Sequence, residues 1–455
     1  MVGLRRLLER AALLLALAGG QVAAEPVALG PEAMRQLAAE AIEAGQPELA
    51  LPITAALLDR DAEDGAALLL RARALRDSGR YDEAADAARA AWGLSETGAT
   101  RHLSALAMAQ ALASSQRRTR AQWWLRRAVH HAPTPEMRRR AIEDFRYVQA
   151  RNPWSTEFSF SIAPRSNVNN GSARSATRLY DLPLDFRLDG SAQALSGTEV
   201  AGGANTRYRL SESRLHRTDL LLRAHYRTYR LSSEARSKAP NAKGSDFAFG
   251  SLAASFAHEA RRDAESPPWW VAASAGQTWY GGDPYTRFLQ LSGTQNWTLG
   301  SRTGANLSVT AEGQQGLGGT PDSRSLRVGA GVTRVLDGGS RLRLGLAATA
   351  SRSDAASREF DRIEASARLS LARPVLSMDL NMGFTIAEDH FPQAVFGTGS
   401  RTDSEIALEI TADLPAIEYH GFIPSLTLRA ARTDSNLGLH DTEEVGLQLG
   451  WRSAF

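Results

Sequence analysis

Apolar positions along the chain change their spacing once. Up to about Asn152 they recur every third or fourth residue, the period of an amphipathic helix; from Thr156 onward they fall on every second residue, the period of a strand with one apolar face. Turn residues divide the second region into fourteen predicted strands: 156–163, 195–209, 216–229, 244–258, 268–280, 284–297, 303–314, 324–336, 340–351, 359–372, 375–387, 402–413, 421–432 and 443–455. At about 3.3 Å per residue and a tilt of roughly 40°, most are long enough to cross an apolar band of about 25 to 30 Å. In the last of them Val445, Leu447, Leu449, Trp451 and Phe455 share one face, while Glu444, Gln448 and Arg452 share the other. An oily face, a wet face, an even strand count and a C-terminal signature of Trp451 and Phe455 predict a transmembrane β-barrel of an outer membrane.

Connector lengths give a second sign of the same architecture. With the N-terminus in the periplasm the odd connectors are external, and most of them, led by 164–194, are longer than the even ones; the tight Gly281-Gly282-Asp283 loop and the turn at 259–267 run against the trend. Trp269, Trp270, Trp279, Tyr280, Tyr285 and Trp297 fall near strand ends, where aromatic girdles are expected. The alternation turns Arg223, Arg227, Arg327, Arg341, Arg343, Arg362 and Arg368 inward, and Asp379, Glu405, Glu409 and Glu444 inward nearer the C-terminus. The predicted lumen carries both signs, as hydrated lining or as a charged pathway.

The helical region repeats itself. Leu68, Ala72 and Leu75 precede Gly79-Arg80-Tyr81-Asp82-Glu83-Ala84, with Ala91 and Leu94 after it, a tetratricopeptide-like pattern of small residues where paired helices cross. Gly45 to Ala50 matches Gly79 to Ala84 at an offset of 34, and Ala109, Ala121, Ala128 and Pro133 continue the pattern after a three-residue insertion. A seventh helix closes the stack, with Thr134 as N-cap, Pro135 at the first position and Met137, Ala141, Phe145 and Val148 at helical spacing until Pro153. First-helix residues including Arg73, Arg76 and Gln110 are candidates for a groove that holds an extended segment or a partner helix; the alternative is ordinary solvated surface. The same pair of readings applies to Arg138-Arg139-Arg140, which could face lipid phosphates.

Composition narrows the classes. Residues 1–24 combine Arg5, Arg6 and Arg10 with an apolar run and Val22-Ala23-Ala24, as in a secretory signal peptide. No later apolar run is long enough for a helical span. A net charge of +3 from 53 basic and 50 acidic residues gives no reason to expect a nucleic-acid partner. The 455 residues contain no cysteine, which excludes thiolate metal sites and disulfides. No hydrolase elbow, phosphate loop, zinc helix or dinucleotide fingerprint occurs, and the barrel histidines stand singly, so neither catalysis nor a cofactor is expected. The expectation is an α + β membrane protein: signal peptide 1–24, tetratricopeptide-like α-solenoid 25–152 in the periplasm, and fourteen-stranded antiparallel barrel 153–455 in the outer membrane of a Gram-negative bacterium.

The junction reads Asn152-Pro153-Trp154, then Phe158 to Ala163, then Pro164-Arg165-Ser166-Asn167-Val168-Asn169-Asn170. A Pro-Trp pair, a first strand and an Ala-Pro-x-Ser-Asn-x-Asn segment directly after helical repeats resemble the surface lipoprotein assembly modifiers, the type XI secretion translocons. The resemblance implies a periplasmic repeat domain on a fourteen-stranded barrel, which moves a surface lipoprotein or a secreted soluble protein across the outer membrane. Its partners would be outer-membrane lipid, the barrel assembly machinery, the protein client and a periplasmic chaperone. Asn side chains donate, accept and tolerate left-handed turns, so Asn167 and Asn169, with Asn170 beside them, are expected to hold the first loop inside or across the mouth. Two other readings stand beside this one: an exopolysaccharide export porin, which would want a single-signed pore with inward rings, and a passive solute porin.

Overall fold

The computed structural model describes residues 29–177, 184–395 and 399–453. The expected signal peptide and Phe455 lie outside the described residues. The chain divides into two compact units, one up to Arg117 and one from Arg118 onward.

The first unit contains α1 (Pro31–Glu43), α2 (Pro47–Arg60), α3 (Gly65–Asp77), α4 (Tyr81–Gly93) and α5 (Gly98–Ser114). Its repeat grammar is visible in the atoms. Ala50 and Ala84, one repeat apart, are wholly buried, as are Ala38 and, nearly, Ala72 and Ala109 at equivalent places in successive repeats. Small residues there let helix axes approach closely. Each first helix ends on a left-handed residue: Gly45 (φ 75°), Gly79 (φ 79°) and Gln116 (φ 63°). The next N–H reaches back over the turn, Gln46 to Ala41 O and Arg80 to Leu75 O, so the last carbonyls are satisfied in the Schellman manner. Asp64 caps α3 by accepting from Ala67 N–H and also takes the Arg35 guanidinium at 2.8 Å. Burial disfavours the Asp64 carboxylate, but these donors outweigh it and hold its pKa below the ordinary carboxylate value.

The second unit opens with α6 (Arg118–His130) and α7 (Pro135–Arg151), the latter capped by Thr134. The barrel follows: β1 (Trp154–Arg165), then β4 (Gly197–Glu212), β5 (His216–Leu231), β6 (Phe249–Ala260), β7 (Trp269–Tyr280), β8 (Asp283–Gly300), β9 (Thr303–Gly316), β10 (Ser323–Val335), β11 (Arg341–Arg352), β12 (Phe360–Ser370), β13 (Asp379–Phe391), β14 (Arg401–Asp413), β15 (Phe422–Ser435) and β16 (Thr442–Ser453). Two short strands, β2 (Ala176–Thr177) and β3 (Phe186–Arg187), pair within the first loop, and α8 (Ser233–Lys238) lies in the second. The fourteen long strands close into one antiparallel barrel in sequence order, with β1 between β4 and β16. Leu289, Leu346 and Ile363 are 65 to 70% exposed on its outer face, a surface that only hydrocarbon covers without cost. The barrel is thus of the outer-membrane type.

Three sequence expectations change. Strand β6 starts at Phe249 rather than 244, because Gly244–Phe247 winds into a 3-10 turn. Strand β13 starts at Asp379 rather than 375: Val375 and Met378 exchange main-chain hydrogen bonds around Leu376 (φ 52°) and Ser377 (φ 63°), a tight turn that apolar alternation disguised as strand. Trp270 and Tyr280 are not outer-girdle residues. Trp270 is paired with Glu259, whose partner Arg217 lies on the inner face, and Tyr280 is paired with Phe249, itself opposite Arg227. The long connectors are 166–196 and 232–248, and both lie at one end of the barrel.

Helices α6 and α7 are seated on the turn between β14 and β15. Arg126 donates to Gly421 O at 3.0 Å with its guanidinium 4.9 Å from the Phe145 ring and 4.8 Å from the Phe422 ring. Arg138 pairs with Glu418, and His130 stacks on His420 at 4.0 Å.

Candidate functional site

The inner wall is built by strand parity. Residues facing each other across neighbouring strands point the same way, so the outward Leu326, Val328, Leu344, Leu346 and Ile363 fix Arg327, Arg343 and Arg362 as inward. Arg223 and Arg227 on β5 share the inner face, between the outward Leu222 and Tyr226, and Glu405 and Glu409 flank the outward Ile406 and Leu408 on β14.

Three of these charges, Arg327, Arg362 and Glu405, belong to one lateral network. Arg362 reaches Asp389 at 2.8 Å, Glu405 at 2.6 Å and Glu364 at 3.5 Å, and Glu364 also takes Arg327 at 3.0 Å. One network therefore runs from β10 through β12 and β13 to β14. Arg343 bonds Asn306 weakly at 3.4 Å, and Arg227 lies 5.4 Å from the Phe249 ring. At the long-loop end Arg401 pairs with Asp403 at 3.2 Å and covers the Phe391 ring at 3.5 Å. A recess of about 360 Å³ opens there, lined by Asp389, Arg401, Asp403, Glu405, Arg429, His440 and Glu444 among others, and Asn167 and Asn170 of the first loop contribute to its wall.

The first loop is tied by its asparagines. Asn167 exchanges two hydrogen bonds with Gly171, donating to its carbonyl at 2.8 Å and accepting from its N–H at 2.9 Å. Asn169 donates to Ser191 O at 3.0 Å and Gln193 O at 2.9 Å and accepts from Leu195 N–H at 2.9 Å, which joins the outgoing and returning arms. Asn170 takes the left-handed turn between them (φ 51°). Val168 and Leu195 then pack with Leu231, Ala235 and Ala239, so the first and second loops share a small apolar core. On the other side Ala173 N–H donates to Asp441 O at 2.7 Å, Ser172 Oγ to Gly438 O at 3.0 Å, and Arg174 pairs with Asp441. The first loop lines the mouth while held to both neighbours.

In the helical unit Arg76 donates to Gln110 on the first helix of the next repeat and pairs with Asp77 at 2.7 Å. Arg73 reaches Glu43 and Asp77 at 4.0 Å. Trp451 is outward and paired with Phe160 of β1.

The sequence reading missed the long-range partners: Asp441 under Arg174, Arg401 over Phe391, and the His130–His420 stack. Their separations leave no periodic signal.

No protein-family model matches the sequence, and no curated protein does. Parts of the chain are similar to solved structures. The barrel is similar to OccAB3 of Acinetobacter baumannii (9% identity over 66% of this chain and 99% of that one, TM-score 0.37) and to a BenF-like porin of Pseudomonas fluorescens (8%, 66% and 99%, 0.36). The helical region is similar to the type III secretion translocator chaperone SycD of Yersinia enterocolitica (18%, 28% and 98%, 0.25).

Proposed function

We propose that this protein is an outer-membrane translocon that carries a protein client, a surface lipoprotein or a secreted soluble protein, outward through its barrel, with the helical unit in the periplasm. The observation that carries the reading is the union in one chain of a helical-repeat unit with a barrel whose inner wall bears both signs of charge, several of them shared in one lateral network from β10 to β14. A polypeptide carries both signs and many amides, and such a wall offers it frequent weak partners and no single deep well. Client recognition falls to first-helix residues around Arg73, Arg76 and Gln110, with a periplasmic chaperone presenting the client unfolded. Insertion of the barrel itself falls to the barrel assembly machinery.

The outer membrane has no nucleotide supply, so export runs on differences in binding and folding free energy across the wall. Glycan export is the weaker reading because the wall carries both signs of charge and two of its rings, Phe391 and Phe249, lie under Arg401 and Arg227, although Trp270 and Tyr280 also face inward. Deleting residues 31–114 while keeping α6, α7 and the barrel tests the proposal. At least one protein found at the cell surface or in the medium with the full chain should be lost with the deletion, with barrel assembly intact by heat-modifiable migration; an unchanged surface and secreted proteome refutes the reading.

A further inference from the structure

The barrel's ladders are unequal. Among the described residues β1 and β16 pair at four positions, Phe160↔Trp451, Ser161↔Gly450, Ile162↔Leu449 and Arg165↔Gly446. The other ladders pair at ten to fifteen. Strand β1 does not lack pairing capacity, since its other edge matches β4 at twelve consecutive positions from Trp154 to Arg165.

The cause is in the side chains. Ser166 N–H donates to Val445 O at 3.2 Å, and alternate residues of a strand address the same neighbour, so Pro164 also belongs to the β16 edge. Proline has no N–H, which leaves the Leu447 carbonyl opposite without a main-chain donor. Val445 N–H goes to Ser166 Oγ at 2.8 Å rather than to a carbonyl. Gly446 and Gly450 add no inward side chain to interlock with β1. What spans the seam instead is a clamp: Arg165 on β1 holds Glu444 on β16 at 2.9 Å and Glu199 on β4 at 3.2 Å. Its guanidinium lies where a Cβ on residue 446 would sit, 2.9 Å away, so glycine there makes room for the clamp. Side-chain ties above it, Arg174 with Asp441 and Ser172 with Gly438, join the first and last loops over the same seam.

We propose that the β1–β16 seam is a sideways exit from lumen to bilayer, the site at which an acyl chain borne by a polypeptide client enters the membrane, with Arg165 as its latch. The substrate class follows from the wall's two faces. Inside stand Ser161, Gly446 and Gly450; outside stand Phe160, Ile162 and Leu449, in hydrocarbon. A soluble solute or bare polypeptide loses hydration by moving sideways there, whereas an alkyl chain leaves water for its own medium. The acyl assignment rests on the translocon reading above; the opening of the seam does not.

The test uses the full chain in lipid nanodiscs and needs no client. Amide hydrogen exchange within 160–166 and 445–451 should be about tenfold or more faster than within 304–310 and 327–333, the matched segments of β9 and β10. Equal protection overturns the exit while leaving the translocon reading intact. Because the chain has no cysteine, the lock Ser161→Cys with Gly450→Cys can be compared with Ser308→Cys with Gly329→Cys, a matched inward pair on the β9–β10 ladder. Oxidation should slow seam exchange to the β9–β10 level only in the first; no slowing refutes opening at this place. A bimane on the inward position Gln448→Cys should be quenched by doxyl-labelled phosphatidylcholine more than one on Thr310→Cys, and more again with Arg165→Ala. Equal quenching at both positions refutes lipid access, whether or not any protein is ever exported.

Discussion

Asn169 offers the sharpest test of how the mouth is built. Replacing it by alanine removes three hydrogen bonds at once, to Ser191 O, to Gln193 O and from Leu195 N–H. Two of the losses fall on carbonyls that water can reach and cost little. The third strands an N–H on Leu195, which is wholly buried, and an unsatisfied buried donor costs about 1 to 3 kcal/mol by itself. The combined loss, about 2 to 3 kcal/mol, falls on local opening of the loop rather than on the barrel, raising the open fraction by roughly 30- to 160-fold. Trypsin cleavage at Arg174 and Arg187 reads that fraction directly, and planar-bilayer conductance reads its effect on the mouth. Asn169→Asp separates the parts, because a carboxylate still accepts from Leu195 N–H but meets the two carbonyls without a proton. Its cleavage rate should fall between wild type and Asn169→Ala. Cleavage of Asn169→Ala within about twofold of wild type, with the barrel intact by heat-modifiable migration, would refute the idea that this side chain closes the loop.

Three further outcomes follow from other parts of the chain. Gln116 occupies a left-handed position that glycine fills in the two preceding repeats, so Gln116→Gly should stabilise the helical unit by about 0.5 to 1 kcal/mol in thermal melts followed by helical circular dichroism, and a lower melting temperature would contradict this. His420 has its pKa lowered by burial and then by His130 and Arg127, with Glu418 opposing; docking of α6 and α7 should be complete above the ordinary imidazole value of about 6.5 and weaken as pH falls through it, so amide protection in 118–151, taken relative to the intrinsic exchange rate at each pH, should fall between about pH 7.5 and 5.5 in wild type and not in His420→Asn. Arg362→Met leaves Asp389, Glu405 and Glu364 without their shared cation, and the reversal potential under a salt gradient should move toward cation selectivity; an unchanged potential would place the network off the ion path.

How much of this was legible beforehand depended on whether a residue's role repeats. Every barrel strand meets lipid on one side and water on the other, so alternation recurs fourteen times and fixed the parity of Arg327, Arg343, Arg362, Glu405 and Glu409. The helical repeats were legible for the same reason, down to the glycine at 45 and 79. Single events were not. Val375 to Met378 alternates like a strand but turns, because a two-residue reversal leaves no period to detect. Trp270, between the outward Trp269 and Val271, shows that an aromatic at a strand end is assigned to a face by parity and not by type. Asn167 and Asn169 were recognisable as loop-holding residues from their chemistry, yet nothing in the sequence paired Asn169 with Leu195, or Arg174 with Asp441. Contacts of that kind are set by closure of the barrel, which brings the first and last loops together.

The pairing of lumen charges bears on passage itself. A wall with unpaired arginines would attract an acidic segment strongly and release it slowly, and transport through it would be limited by escape. Along the β10–β14 part of the wall Arg362 divides itself among three carboxylates and Glu364 is shared with Arg327, so an incoming charge there must compete with a partner already in place. The net gain from any one exchange is then small and of similar size at successive positions, as a moving chain requires. The same sharing makes the network tolerant of either sign, because a passing carboxylate can borrow Arg362 while a passing lysine borrows Glu405. If the barrel passes a polypeptide, as proposed, the number of partners each charge possesses, more than the net charge of the pore, sets how fast a chain of mixed composition goes through. Neutralising one acid with Glu364→Gln should therefore slow acidic segments more than basic ones.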